Sequence, residues 1–377
     1  MEIKHIEYNN DCTGCGLCAY KCPKNCISLI NDEEGFQIPF VDDKKCIECS
    51  LCKKVCPVLQ KRDIDTNIKK TFAVQIKDTK LLMSSASGGA FIGIAIEFIK
   101  NGGYVVGVVD DVKNGATFQL VNSIDKLNEM VGSKYYQCDL TEDIYNEINE
   151  VLSKGNKVLF SGTPCQASAI KLSVNKENLD RLFLIDIICQ GTPSKKVVSK
   201  YHKYIESKQK KKLIKHFYRS KDKIKQGQYT TKLIYNDNST NILIGEKDLY
   251  SRSFQRKIYI RESCYNCKFT NCNRISDITI GDFWGVKDID IDICKGVSLV
   301  LINSTKGLQL FDYAKNKFIV FEKTLEEAVP YNLPLKQSAK RSCLRGVSFK
   351  MLDKLGFSFT TRLLCYRYYI KKLIRRV

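Results

Sequence analysis

CTGCGLCAYKCP, residues 12–23, sets four cysteines at intervals of three, three and four, with proline directly after the last. CIECSLCKKVCP, residues 46–57, repeats the pattern. Three cysteines at this spacing wrap three corners of one iron–sulfur cube, and the fourth, carried off by the turn at proline, reaches a second cube. The crossed reading gives one cube to Cys12, Cys15, Cys18 and Cys56, and the other to Cys46, Cys49, Cys52 and Cys22. Gly14 and Gly16 let the backbone pass close to the inorganic sulfurs, where its N–H groups donate. A pair of zinc knuckles is the rival, but zinc takes isolated C-x2-C pairs and has no use for a third cysteine plus proline, repeated. Cys26 fits neither run and reads as a small packing residue.

Residues 1–60 therefore read as a two-cluster, ferredoxin-type module, with ISLINDEEGFQIPFV (27–41) as a hairpin between its halves. The chain has 377 residues, enough for two or three domains, and 44% of them are hydrophobic, enough for real cores. Half of its 18 cysteines lie in the first 60 residues, so a reducing cytoplasm is a better reading than a disulfide framework. The start shows no secretory pattern, and the most apolar stretch, GGAFIGIAIEFI (88–99), is too short to span a bilayer and contains Glu97. The formal charge of +20 falls to about +16 once two cubes, each 2− with its thiolates, are counted. The excess sits in KQKKKLIKHFYRSKDKIK (208–225) and RLLCYRYYIKKLIRRV (362–377), both solvated basic faces on the plainest reading. In the second, Leu363, Tyr366, Ile370, Leu373 and Val377 recur at helical spacing. That fits a packed terminal helix first and an interfacial membrane or partner-binding helix second. No motif supports nucleic-acid binding.

QKRDIDTNIKK (60–70) reads as a linker, with residues 61–70 as its span. Beyond it strands and helices alternate: TFAVQIK (71–77), the helix GGAFIGIAIEFIKNGG (88–103), the strand YVVGVVD (104–110), then three strand–loop–helix units at 157–172, 182–205 and 296–316. The expected body is α/β with a mixed, largely parallel sheet, preceded by the α+β ferredoxin-like module. Its parts are expected at 71–160 and 161–340, with a basic helical extension at 341–377. The Tyr-rich section 213–262 fits antiparallel strands.

Gly-Thr-Pro occurs at 162–164 and 191–193, each time between a strand and a helix. Thr163 is placed to cap the first helix, with Pro164 opening it and Gln166 completing a capping box. Cys165 falls in the first helical turn and Cys189 at a strand end, the edge where open α/β sheets gather ligands. Buried, inert cysteines are the alternative. CYNCKFTNC (264–272) offers Cys264, Cys267 and Cys272 but cannot close a cube alone. With Cys165 and Cys189 there are five candidates for four places, Cys272 or Cys165 being the odd one, and zinc is the rival metal. SDITIGDFWGV (276–286) runs a strand into Phe283–Trp284, a core pair or a stacking platform. In SASGGAF (85–91), Ser87, Gly88 and Gly89 start a helix and would let N–H groups approach a phosphate or flat ring. No catalytic acid or base stands out, and none of the three histidines, His5, His202 and His216, lies in a motif.

Taken together, the two cysteine runs, Ser87-Gly88-Gly89, SGTPCQ (161–166), Asp186 with CQGTPS (189–194), and Cys264-x2-Cys267 followed by SDITIGDFWG (276–285) resemble the beta-subunit family of coenzyme F420 hydrogenases and dehydrogenases. The resemblance implies FAD near Ser87, Gly88, Gly89, Ser161, Gly162, Thr163 and Pro164. It also implies a third [4Fe-4S] cluster on Cys189, Cys264 and Cys267, with Cys165 or Cys272 as fourth ligand. Electrons would pass between an external ferredoxin or other redox protein, the cubes and FAD, with hydride exchange to F420 or another organic substrate. Gln190 stands where many members have His, and bacterial members often serve polysaccharide synthesis, so the substrate is left open. A non-catalytic electron-transfer or scaffold subunit of a larger complex is the second expectation.

Overall fold

The computed structural model describes residues 9–60, 70–222 and 230–374. The expected linker, apart from Lys70, lies outside the described residues, as do His5, Val377 and part of the basic run 208–225.

The first sixty residues build two short helices, α1 (Leu17–Tyr20) and α2 (Leu51–Lys54), around a hairpin of β1 (Ile27–Asn31) and β2 (Gln37–Val41). The two cysteine runs have the same backbone. Gly14 and Gly16 sit at φ +69° and +75°, and Glu48 and Ser50 at the equivalent places sit at +55° and +58°. Positive φ alone thus does not demand glycine in the first run.

The body opens with β3 (Lys70–Ile76), α3 (Thr79–Ser84), α4 (Ala90–Lys100), β4 (Tyr104–Asp111), β5 (Gly115–Val121), α5 (Ile124–Met130) and α6 (Glu142–Ser153). Then come β6 (Val158–Gly162), α7 (Pro164–Ser173), β7 (Leu182–Ile187), α8 (Lys195–Gln209), β8 (Leu213–Ser220), β9 (Thr230–Tyr235), β10 (Thr240–Ile244) and α9 (Leu249–Gln255). It closes with β11 (Ile278–Asp282), β12 (Ser298–Ile302), α10 (Thr305–Ala314), β13 (Phe318–Lys323), α11 (Leu325–Ala328), α12 (Arg345–Leu355) and α13 (Phe357–Ile374).

One sheet runs in the order β13-β3-β12-β11-β7-β6-β4-β5. Its parallel part is the central block β11-β7-β6-β4. The pairings of β5, β12, β3 and β13 are antiparallel. The sheet takes strands from both sides of residue 160, so the two expected parts of the body share one core. Alternate residues of each central strand face opposite layers: Val105, Leu159 and Ile185 pack with α4, α5 and α10, while Val106, Val158, Phe160 and Leu184 pack with α6, α7 and α8. Each such buried Val, Leu, Ile or Phe contributes roughly 1.5–3 kcal/mol. Two reversals, at β12 and β3, leave β3 running with the parallel block, so Ile76, Asp111, Gly162, Ile187 and Asp282 all end on one edge. β8, β9 and β10 form the expected antiparallel set, as a separate three-stranded sheet.

Two of the contacts that seat the module on the body lie at α6 and at the hairpin turn. Tyr145 of α6 stacks on Tyr20 at 4.7 Å and its hydroxyl donates to the Cys15 carbonyl at 2.8 Å. At the hairpin turn, Ser194 Oγ donates to Glu34 O at 2.6 Å and Arg345 forms a two-pronged ion pair with the Glu34 carboxylate. Gly35 is required there, since a Cβ would come within 2.5 Å of Lys196 Cβ.

Candidate iron–sulfur and strand-end site

Cys12, Cys15, Cys18 and Cys56 lie within electrostatic reach of one another. Burial pushes the Cys15 thiol up to about 12, with Cys18, Cys12 and Cys56 adding to the rise. Cys18 is likewise pushed to about 12, by burial first and then by Cys12 and Cys56. Thiols crowded in low dielectric resist ionisation until a metal supplies the positive charge, which reverses the sign. Cys52, Cys22 and Cys46 gather in a second small cluster with Cys18, Ile27 and Cys26, while Cys49 is exposed. Cys26 is buried in this cluster, with its Sγ 3.3 Å from Cys22 Sγ.

A cavity lies where the module meets the body. Cys15 lines it together with Cys165, Cys189, Cys264 and Cys267. The strands explain this gathering. Cys165 follows Pro164 at the start of α7, after β6; Cys189 follows β7; Cys264 and Cys267 lie in and just beyond the 3-10 turn Glu262–Asn266. The Thr163–Gln166 capping box is formed, with Thr163 N–H donating to Gln166 Oε1 at 2.9 Å. Burial pushes the Cys165 thiol up to about 12, and Cys267, Cys264 and Cys15 push the same way. Cys189 is raised by burial, then by Cys264 and Cys165. Cys272 is elsewhere: its Sγ donates to Leu335 O at 3.2 Å, among the hydrophobic side chains around Phe283 and Leu299.

The donor set fits a cube. Among the described residues, no group of three His, Cys, Asp or Glu side chains closes on a single metal ion; the four thiols stand around a cavity instead. Gly191 N–H lies 3.4 Å from Cys189 Sγ, Gly14 N–H 3.4 Å from Cys12 Sγ, and Thr163 Oγ1 3.1 Å from Cys165 Sγ. Arg274 lines the cavity, buried, with Nη1 3.9 Å from the carboxylate of the fully buried Asp186 and with Nε and Nη2 lacking a hydrogen-bond partner. Lys257 donates to Gln190 Oε1 at 2.6 Å, and burial lowers its amine to about 8 against the pull of Cys189 and Cys264.

Among the cavity residues that sequence reasoning missed are Cys138, Arg261 and Arg274. None lies in a motif, and only the folded contact of module and body brings them together. Arg261 is the most connected. Its Nε donates to Cys12 O at 2.7 Å, Nη2 to Gln37 O at 2.8 Å and Nη1 to Gln137 Oε1 at 3.1 Å.

The residues expected to meet FAD fall in two groups on the strand-end edge, separated by four strand spacings, about 19 Å. Thr163 and Pro164 line the cavity. Ser87, Gly88 and Gly89 sit at the end of β3. Gly88 is small because a Cβ would lie 2.2 Å from Val74 O and 2.4 Å from Ser298 N, and Gly89 because Ile76 is 2.6 Å away. Ser87 Oγ donates to Val297 O, and Ser87 O accepts from Lys221 Nζ at 2.6 Å. Sheet packing therefore suffices to explain why positions 88 and 89 are glycine. Gly162 packs on the Phe160 ring. At this edge Ala90 N–H at the start of α4 donates to Ser298 Oγ at 3.5 Å, and Trp284 is 40% exposed, with Arg219 over its ring at 5.1 Å. Phe283 is buried in the core. The two described histidines, His202 of α8 and His216 of β8, form a buried pair, 3.0 Å apart, among tyrosines and away from the cavity.

Two family models match this architecture. Residues 155–327 match the C terminus of the coenzyme F420 hydrogenase/dehydrogenase beta subunit, and residues 11–59 match a 4Fe-4S dicluster domain. The chain therefore carries the C-terminal domain of the coenzyme F420 hydrogenase/dehydrogenase beta-subunit family behind a ferredoxin-type dicluster domain. It is 24% identical over 208 residues to a subunit of the F(420)H(2) dehydrogenase of Methanosarcina mazei, covering 50% of this chain and 56% of that protein. The chain thus spans just over half the length of that relative. Over 55 residues it is 36% identical to a ferredoxin-like protein in the nif region of Sinorhizobium fredii, covering 13% of this chain and 78% of that one. A solved structure of the F420-reducing [NiFe] hydrogenase complex from Methanosarcina barkeri contains a chain similar at TM-score 0.49 and 16% identity, over 71% of this chain and 88% of that one.

Proposed function

We propose that the chain is an iron–sulfur flavoprotein oxidoreductase in which the dicluster module is wired to a third [4Fe-4S] site on Cys165, Cys189, Cys264 and Cys267, and onward to FAD at the strand ends. The observation that carries this reading is Cys15 lining the same cavity as those four cysteines. Cys12, Cys15, Cys18 and Cys56 would hold the inner cube of the module, and Cys22, Cys46, Cys49 and Cys52 the outer one. When bound, the cubes supply single-electron transfer, and the flavin supplies the change to hydride chemistry with F420 or another organic substrate. The chain's own part is to seal and position: Tyr145 and Arg261 fix the inner loop, and Lys257 and Arg274 set positive charge against the third site. FAD rests on the family resemblance and on the open edge between α4, Trp284 and Thr163. The partner at the outer cube is an external ferredoxin or another redox protein, and the cell compartment is the cytoplasm.

Anaerobic reconstitution followed by iron, sulfide and flavin analysis tests the proposal. About twelve irons and one flavin per chain are expected. About eight irons with no flavin would leave only the dicluster module. The relative in Methanosarcina mazei is one subunit of its dehydrogenase, which favours a second reading, a non-catalytic electron-transfer subunit whose catalytic partner is another chain. Flavin bleaching by a hydride donor in the isolated protein separates the two. We also assign α13 to an anionic lipid surface, on its exposed apolar row and its basic charge.

A further inference from the structure

The first cysteine run carries Gly14 where the second carries Glu48, although both take the same left-handed backbone. The difference lies in what stands beside them. A Cβ on Gly14 would come within 2.7 Å of Arg261 Nη1 and 2.6 Å of Gln37 O. The module has been shaved at this point to admit one guanidinium from the body.

Arg261 is buried, 4% exposed, and its backbone belongs to the third site. Its N–H donates to Thr192 O at 3.0 Å, and its carbonyl accepts from Cys264 N–H at 3.0 Å. The side chain crosses to the module, donating to Cys12 O and Gln37 O, with Nη2 3.9 Å from Cys12 Sγ, while Nη1 reaches Gln137. Phe36 lies against the guanidinium, 5.3 Å from its ring centre. The same charge pulls the Cys264 thiol downward, against the burial that raises it. Arg274 and Lys257 also lie near the third site. Arg261 differs from them in reaching both cysteine sets, Cys12 through its fork and Cys264 through its backbone and charge.

We propose that Arg261 is a positioning residue that couples the inner cube of the module to the third site. Its fork fixes the two cysteine loops against each other, and its charge favours the extra electron on either side of it. A cube gains one negative charge on reduction, and a buried cation a few ångströms away stabilises that state. This coupling rests on the three-cluster reading.

The test is a potentiometric titration of reconstituted protein followed by electron paramagnetic resonance, with the outer cube as internal control. Arg261→Gln is expected to lower the reduction equilibrium of the inner cube and the third cluster about tenfold each, about 59 mV for one electron, and to leave the outer cube unmoved. Arg261→Lys keeps the charge and loses the fork, so its potentials should stay near wild type. Unchanged potentials in a fully loaded Arg261→Gln protein, or an equal fall in Arg261→Lys, would overturn the proposal. If Arg261→Gln does not load, Gln137→Glu sets a negative charge beside Nη1 and leaves the bonds to Cys12 O and Gln37 O in place, at the loss of the Gln137 Nε2 donation to Asp139. It should lower the same two potentials, and the absence of a shift there overturns the proposal equally. A wild-type protein with only about eight irons sinks the third cluster, and the shift on the inner cube is still read.

Discussion

The Cys165 thiol shares its cavity with Cys15, Cys264 and Cys267, whereas the Cys272 thiol is hydrogen-bonded to Leu335 in a separate hydrophobic cluster. Cys165→Ala should therefore remove about four irons per chain, and Cys272→Ala should remove none. Iron and sulfide analysis of the two variants, reconstituted side by side, gives the answer; an equal loss from both would contradict the geometry. At the same scale, the buried histidine pair couples stability to pH. Burial lowers His202 from 6.5 to about 4, and burial together with the neighbouring His202 lowers His216 well below 6.5. A base that must stay neutral in the folded state binds protons more tightly when unfolded. Stability is then complete above pH 6.5 and is lost as pH falls from 6.5 towards 4, by on the order of 3 kcal/mol for His202. Thermal melts at pH 7.5 and 5 should show this drop in wild type and a smaller one in His202→Gln. A drop of equal size in both would place the acid sensitivity elsewhere, in the cubes for instance.

At the scale of elements, Gly88 separates packing from ligand binding. The Cβ of Gly88→Ala would press on the Val74 carbonyl and the Ser298 N–H, both main-chain atoms of paired strands that cannot swing aside. The expected cost is about 3 kcal/mol, read as a lower melting temperature of the flavin-free protein. A stable variant with weakened flavin binding would restore Gly88 to the ligand. The sequence pattern made the elements themselves legible where hydrophobic period and turn chemistry agreed. The β6–Thr163–Pro164–α7 unit, the helix at 90–100 and the 27–41 hairpin lie where expected, because each is decided by residues within a few positions of one another. The eight module cysteines were legible for the same reason, their spacing being itself the geometry. The choice between Cys165 and Cys272 was not, because it depends on which way β6 and the 262–272 segment face across a sheet. The packing role of Gly88 was hidden for a related reason: local sequence signals smallness, and only the distant Ser298 reveals one thing that the smallness serves. Arg261 carried no signal at all, since its partners Cys12, Gln37 and Gln137 are more than a hundred residues away in sequence.

At the scale of the whole molecule, charge and apolar surface coincide at α13. Phe359, Leu363 and Tyr366, at intervals of four and three, are 58%, 40% and 63% exposed, and Arg252 and Arg362 line the same groove. Leu364 and Cys365 on the opposite side are buried against the body. The sequence repeats the apolar spacing at 370 and 373, and residues 357–377 contain six Lys or Arg and no Asp or Glu. A second copy of such a helix would bring like charges together, and among the described residues no helix is long and apolar enough to cross a membrane. An anionic lipid surface satisfies both properties, since it takes the apolar row into the headgroup boundary and gains roughly 1 kcal/mol per nearby basic residue. The protein should sediment with phosphatidylglycerol-rich vesicles and not with pure phosphatidylcholine. Raising the salt, or changing Phe359, Leu363 and Tyr366 together to Ser, should each cost about tenfold in binding. A wild-type protein that ignores anionic vesicles but dimerises through this face in light scattering would hand α13 to a second copy, and the lipid assignment would fall.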